Sequence, residues 1–376
     1  MLNIVPGSTS YADKTMSLNF RFAIVSDLHI ALSHTIWDHP TRFHLVEVSI
    51  PTLELVLEHL AECDLDFLLL PGDLTQDGEI DNHVWLSKRL AKLPFPVYVV
   101  PGNHDVPLSV GNDKVTGLSD FPRYYHQFGY ENIDQLHYTH EILPGVRLIG
   151  LNSNIFDQTG RQIGYLDQQQ LDWLKAVLAT TEDELVMVML HHNVIEHLPG
   201  QATNPLGRRY MLKNAPQLLE ILDQAGVKLV FTGHLHVQDI AQWQNIYEIT
   251  TGSLVSYPHP YRIVNFRTES DGKQVLQIES HRITSVAGWP DLTEQSRERI
   301  ADHSFAFMTK LLTSPPLSLP QEQAVQLAPD LRYFWADVAG GDAELHFPTL
   351  PTPVRDYFEA FSSESAIDNQ ATLLLS

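Results

Sequence analysis

Apolar runs that break into clusters of histidine, aspartate and asparagine recur along this chain. Phe22 to Val25 leads into Ser26-Asp27-Leu28-His29, Phe67 to Leu70 into Pro71-Gly72-Asp73-Leu74-Thr75-Gln76-Asp77, and Pro96 to Val100 into Pro101-Gly102-Asn103-His104-Asp105. Further on, Val186 to Leu190 precedes His191-His192, and Leu229 to Phe231 precedes Thr232-Gly233-His234-Leu235-His236. Short apolar runs bounded by turn residues read as buried strands. Open α/β sheets gather ligands at the carboxyl ends of such strands. Strand ends rich in imidazole and carboxylate that converge on one pole predict a metal site.

Helical patterns fall between the runs. Val48, Leu53, Val56, Leu57 and Leu60 have helical spacing within 47–62, with Pro51 in the first turn, where proline is tolerated. Helices are also expected over 80–92, over 170–178 behind Asp167 as N-cap, and over 210–224. The strand-helix-strand rhythm argues for an α/β fold. Val146 to Leu151 adds a strand, while 106–140 reads as a long irregular, aromatic-rich wall and 31–44, with His34, Trp37, Asp38, His39, Arg42 and His44, as a loop over the site. Segments 246–249, 261–266 and 274–278 read as consecutive antiparallel strands, the last two joined by an Asp271-Gly272 turn. Beyond about Thr284 the pattern changes to polar helical segments broken by Pro315-Pro316, Pro320, Pro348 and Pro351. The expected organisation is a tail over 1–18, a catalytic domain over 19–283 and a mostly helical extension over 284–376.

Composition narrows the chemistry. The single cysteine, Cys63, rules out an intrachain disulfide and a thiolate cluster, so a metal must be held by nitrogen and oxygen. A formal net charge of -22 opposes binding to a nucleic-acid duplex. Two divalent ions would still create a local positive hollow suited to a small anionic ligand. No apolar stretch approaches the roughly 20 residues of a membrane span and no signal peptide is evident, so a cytoplasmic protein without a membrane partner is expected.

At a strand end, residues i and i+2 point to one side, which pairs Asp27 with His29 and His234 with His236. Asp73, with two carboxylate oxygens, is the natural bridge between two ions. Divalent ions roughly 3.5 to 4 Å apart clamp the oxygens of an in-line phosphoryl displacement and acidify a bound water. A histidine taken singly among 19 is more often a surface or core residue, and Asp73 alone could be an N-cap. The ordered set is hard to explain as coincidence.

The set Asp27-x-His29, Gly72-Asp73-x-x-x-Asp77, Gly102-Asn103-His104-Asp105, His191 and Gly233-His234-x-His236 resembles the calcineurin-like metallophosphoesterase superfamily over about residues 19 to 280. Within it the spacing is similar to the class III cyclic-nucleotide phosphodiesterases. The resemblance implies a four-layer α/β/β/α sandwich, with Asp27, His29, Asp73 and His236 on one metal and Asp73, Asn103, His191 and His234 on the other. It implies a non-ligand His104 that stabilises charge or protonates the leaving oxygen, oriented by Asp105, with Asp77 supporting the Asp73 turn. His191 rather than His192 is taken as ligand because it is the first residue past its strand, which leaves His192 near the metals or the substrate. The implied activity is hydrolysis of a small, cyclic-nucleotide-like phosphodiester by a metal-bridging hydroxide, with two ions among Mn, Fe, Zn and Co. A phosphomonoesterase or glycerophosphodiesterase on the same site, and a non-catalytic scaffold, are the alternatives. For the extension, whose Ile300, Phe307, Met308, Leu311, Leu312, Phe334, Trp335, Tyr357, Phe358 and Phe361 need burial, simple packing, a homodimer contact and a cap over the site are all open.

Overall fold

The computed structural model describes residues 17–37, 42, 44–181, 184–363 and 365–375. Asp38 and His39 of the expected loop, and most of the amino-terminal tail, lie outside them. In chain order the first elements are β1 (Asn19–Ile24), α1 (Ser49–Ala61), β2 (Phe67–Leu70), α2 (Ile80–Leu90), β3 (Val97–Val99) and α3 (Phe121–Tyr124). There follow β4 (Tyr138–Leu143), β5 (Val146–Gly150), β6 (Asn154–Phe156), β7 (Gln162–Gly164), α4 (Gln168–Leu178), β8 (Leu185–Met189), α5 (Ala215–Gln224), β9 (Leu229–Thr232), β10 (Asp239–Trp243) and β11 (Ile246–Thr250). The last are β12 (Pro260–Thr268), β13 (Gln274–Arg282), α6 (Leu292–Thr313), α7 (Gln321–Leu327), α8 (Phe334–Ala339), α9 (Thr352–Glu359) and β14 (Gln370–Leu375).

Two six-stranded sheets, ordered β14-β13-β12-β1-β2-β3 and β10-β11-β9-β8-β5-β4, face each other. Strand β8 shows why the stack has four layers, because successive side chains on a strand point to opposite faces. Met187 and Met189 join the core between the sheets, with Phe22, Leu68 and Phe231. Val186, Val188 and Leu190 face the other way, onto Leu171, Leu174, Leu218 and Leu222 of α4 and α5. Leu53, Val56 and Leu60 of α1 cover the first sheet in the same manner. Strands β1, β2 and β3 run parallel, as do β5, β8, β9 and β11. Their carboxyl ends therefore meet at one pole.

Some expectations change. The segment 246–250 is not part of a meander with 260–268; it pairs antiparallel with β10 and parallel with β9, whereas β12 and β13 extend the first sheet beside β1. The helix expected from 210 begins at Ala215, because Met211 is extended and bridges Asn193, and Pro216 stands in the first helical turn. Part of the supposedly irregular wall is β4. Strand β14 alternates exposed and buried residues and closes the edge of β13. The extension packs as its own cluster, Met308, Leu312, Leu331, Phe334 and Phe358, against Leu235 and Val237 past β9 and against Leu198, Leu206 and Tyr210.

Candidate metal centre and cleft

Every expected donor sits just beyond a parallel strand, and five of the seven are not in extended backbone. Asp27, His29, Asp73, His234 and His236 have φ of 51, 41, 50, 69 and 59°, the left-handed region that non-glycine residues rarely adopt. Residues i and i+2 thus converge through tight left-handed turns rather than through the pleat. Such strain persists only where the surroundings over-determine it, and it concentrates at functional sites. The surroundings here are close: a Cβ on Gly102 would stand 2.1 Å from Asp73 Oδ1, and one on Gly72 2.5 Å from His191 Nδ1.

One group of potential ligand atoms comes from Asp27, His29, Asp73 and His236, and a second from Asp73, His191 and His234, each within 4.8 Å of one another. Asp73 belongs to both. Asn103 joins the second group, its Oδ1 3.1 Å from His191 Nε2. The tautomers follow from the outer partners. His191 Nδ1 donates to the Pro71 carbonyl at 2.8 Å, and His234 Nε2 lies 3.4 Å from the Arg209 carbonyl. That turns His191 Nε2 and His234 Nδ1, 3.1 Å apart, toward each other and toward Asp73 Oδ2, 3.3 Å from His191 Nε2. In the first group His236 Nε2 is 3.1 Å from Asp27 Oδ1 and 3.4 Å from His29 Nε2. Ligand atoms crowded so closely repel unless a proton or a metal cation lies among them. All are hard or borderline nitrogen and oxygen donors, which fits two divalent ions with Asp73 shared.

Electrostatics point the same way. Burial works against ionisation of Asp73, but His191, His104 and His29 outweigh it and hold the carboxyl well below the usual range. Burial disfavours charge on His104 as well, yet Asp73, Asp77 and the Gln76 carbonyl raise it to about 10. His191 rises to about 9 against burial, chiefly through Asp73. His192 is lowered to about 3 by burial and by His191.

His104 is oriented differently from expectation. Its Nδ1 contacts the Gln76 carbonyl at 2.8 Å and Asp77 Oδ1 at 3.0 Å. Asp105 does not touch the ring: its carboxylate accepts from the amides of Gly102, Leu74 and Thr75 at 2.8, 3.1 and 2.9 Å and holds the two turns together. The geometry for a carboxylate at that position is set by three amides in short reach, which leave no oxygen for His104. His192 packs behind, with Nδ1 2.8 Å from Ser153 Oγ and its ring 4.5 Å from that of His234.

Several contributors are not evident from the motifs. His44 stacks on His29 at 4.4 Å between ring centroids and lines the cleft. Gln162, on the β6–β7 hairpin, donates to the Asn103 and Val106 carbonyls at 3.1 and 3.2 Å. Glu248, fully buried, accepts from the amides of Val194 and Ile195 at 2.9 and 2.5 Å, from Thr232 Oγ1 at 2.6 Å and from Asn193 at 3.1 Å. Opposite it lies His197, 3.2 Å from Glu248 and 2.5 Å from Asp239, and despite burial the two carboxylates raise it to about 10. This ionic knot clamps the loops that follow β8 and β9. A charged residue on the apolar face of a strand is the one sequence signal that could have found it.

The centre opens into a cleft of about 560 Å³, walled by His44, Asn103, His104, His192 and His234 on one side and by Leu206, Arg209, Tyr210, Leu235, Phe307 and Trp335 on the other. Among the described residues, no helix is long and apolar enough to cross a membrane.

Residues 20–238 match the model of the calcineurin-like phosphoesterase family. A 3',5'-cyclic-nucleotide phosphodiesterase of Nostoc sp. is 30% identical over 202 residues, covering 53% of this chain and 66% of that protein. A probable glycerophosphodiester phosphodiesterase of Arcobacter nitrofigilis is 26% identical, covering 50% of this chain and 63% of the relative. The chain thus spans just under two thirds of the length of these two relatives. A 3',5'-cyclic adenosine monophosphate phosphodiesterase of Haemophilus influenzae is 23% identical over 62% of this chain and 80% of that one. The solved structure of a dimetal phosphatase from Danio rerio superposes with a TM-score of 0.51 at 17% identity, covering 70% of this chain and 96% of that one, which shows the shared fold.

Proposed function

The chain belongs to the calcineurin-like phosphoesterase family, and from that premise we propose that it hydrolyses small phosphodiesters at the Asp73 centre. The observation that carries this reading is the pair of donor groups sharing Asp73, with imidazole nitrogens turned inward at the edge of the cleft. In the proposal Asp27, His29, Asp73 and His236 hold one divalent ion and Asp73, Asn103, His191 and His234 the other, from among Mn, Fe, Zn and Co. Such ions supply charge against the phosphoryl oxygens and lower the pKa of water.

The chain's own residues do the rest. His104 is 33% exposed at its side chain and donates its backbone N–H to Asp73 Oδ1 at 2.8 Å, which fixes it beside the centre. With Nδ1–H anchored on the Gln76 carbonyl, its Nε2 is the ring atom left for substrate. Asp77 and the Gln76 carbonyl at Nδ1 favour the protonated imidazole, which can give its Nε2 proton to the departing ester oxygen. As the oxygen of water bonds to phosphorus and the ester bond breaks, the leaving alcohol takes the His104 proton and the proton released by water restores it through solvent. Asp77 and Gln76 hold the ring in place for this transfer. His192, fixed by Ser153 and kept neutral by burial, presents its free edge to the cleft as a substrate contact.

Filled donor positions support an enzyme over a scaffold. A cyclic nucleotide and a glycerophosphodiester are the two substrate types that the relatives' names suggest, and a cytoplasmic setting belongs to the proposal with them. The test is turnover of cyclic mononucleotides, linear diesters, glycerophosphodiesters and monoesters by the full chain loaded with Mn²⁺. Diester cleavage that exceeds monoester cleavage and is abolished by chelator is the expected result. Cleavage of monoesters alone, or of nothing, overturns it.

A further inference from the structure

The wall of the cleft opposite the donors is aromatic, and half of it comes from the extension. Phe307 on α6 and Trp335 on α8 stand edge to face, ring centroids 5.5 Å apart at 73°. Both remain partly exposed although ten large apolar side chains of their region find a core around them. Their exposed faces line the same cleft as Tyr210, Leu206 and Leu235. Tyr210 in turn lies 5.0 Å from the ring of His234, so the apolar wall begins one ring away from the donor set. Behind it the same five side chains open a recess of about 40 Å³, closed by Leu198, Leu311 and Phe334, enough for the edge of a ring rather than a whole one.

Arg209 stands at the rim of this wall. Its guanidinium lies over the Tyr210 ring, 4.6 Å from the centroid, and donates to the Tyr210 hydroxyl at 2.5 Å. It is the only lysine or arginine among the described residues that line the cleft, in a chain of net charge -22. An anionic group held at the donors thus meets one cation at the mouth and a sheet of π faces beside it.

The geometry points to a subsite for an aromatic ring on one alcohol of the diester, formed by Phe307, Trp335 and Tyr210 with Arg209 at its rim. This rests on the phosphodiesterase reading above and narrows it. A glycerol group would set its hydroxyls against Leu206, Leu235 and Phe307, which offer no partner, a cost that polar groups seldom bear. A flat ring stacks on Trp335 or meets Phe307 edge to face with nothing left unsatisfied. The extension is on this account the element that sets specificity, and the donors set only the reaction.

The test uses the Mn²⁺-loaded full chain and the probes phenylphosphonate, butylphosphonate and methylphosphonate, with binding read by calorimetry. Wild-type protein should bind the phenyl probe about tenfold or more tightly than the methyl probe, and more tightly than the butyl probe, whose apolar chain has no ring. In Trp335→Ala and Phe307→Ala the phenyl-to-methyl ratio should fall to about threefold or less. Trp335→Leu and Phe307→Leu, which keep apolar bulk and lose the ring, should lower it as well and stand in if an alanine variant does not fold. A wild-type ratio near one, equal binding of phenyl and butyl, or a ratio that survives all four substitutions overturns the subsite. Turnover separates the two readings. Dibenzyl and dimethyl phosphate, whose leaving alcohols are similarly acidic, cleaved with equal kcat/KM by wild type would overturn the subsite and keep the phosphodiesterase, whereas ring-selective binding with no diester cleavage would overturn the phosphodiesterase alone.

Discussion

The two walls of the cleft are held in place by different forces. On the donor side, Asp27, His29, Asp73, His234 and His236 occupy left-handed backbone, and their neighbours are amides, carbonyls and glycines in contact distance. On the other side Phe307 and Trp335 are positioned by helices whose anchor is a core of Met308, Leu312, Leu331 and Phe358. Strained turns fix atoms to fractions of an ångström because every alternative clashes. Apolar packing fixes a surface more loosely, tolerates exchange of similar volumes, and can be remodelled without touching the donors. The division lets the donor geometry stay fixed while the opposite wall is free to change.

The sharpest way to break this contrast is at the residue common to both donor groups. Asp73→Ala should remove metal from both positions and reduce turnover to background; elemental analysis and turnover check it, and a variant that keeps two ions and full rate refutes the shared ligand. Next in size, His191→Ala should lose one ion and most activity while His192→Ala retains both ions. The reverse outcome exchanges their roles. His104→Ala should keep its metal content and lose kcat by on the order of 10² to 10⁴, as expected for an acid acting at the transition state. Parallel loss of metal would make it a structural element of the centre.

Two further predictions concern the ionic knot behind the donors. Removing the carboxylate in Glu248→Ala leaves His197 with Asp239 alone and strips the Val194 and Ile195 amides, Thr232 and Asn193 of a buried acceptor, and should destabilise the fold by roughly 3 to 5 kcal/mol in urea unfolding. A change under about 1 kcal/mol would mean that the knot contributes little. The smallest effect is in pH. His197 titrates near 6.5 when unfolded and near 10 when folded, so its contribution is fully present below pH 6.5 and is lost as pH rises through 10. Wild-type stability should therefore fall between these limits more steeply than that of His197→Gln, and equal slopes would contradict it.

The donor side was legible in the sequence because each ligand cluster is local: a strand, a turn and its histidines are contiguous, and topology need only bring like ends together. What could not be read were partners from distant segments. The family resemblance gives Asp105 the role of orienting His104, yet the turn aims it at three amides, and Asp77, from the preceding strand end, contacts the ring instead. Glu248 sits in an ordinary-looking strand, Ile246-Tyr247-Glu248-Ile249, whose pairing with β9 and β10 no local pattern announces. The helices of the extension gave their apolar residues away by spacing. That Phe307 and Trp335 would stay half exposed and face the cleft depends on how those helices dock, which spacing does not encode.

The claim on which all of this depends is that two ions share the Asp73 carboxylate. Electron paramagnetic resonance of the full chain loaded with two equivalents of Mn²⁺ addresses it directly, since ions joined by a carboxylate couple magnetically and separated ions do not. The predicted spectrum is that of a coupled pair, replaced by the signal of free Mn²⁺ in Asp73→Ala. Isolated-ion signals alone from the loaded wild-type protein would contradict the shared centre.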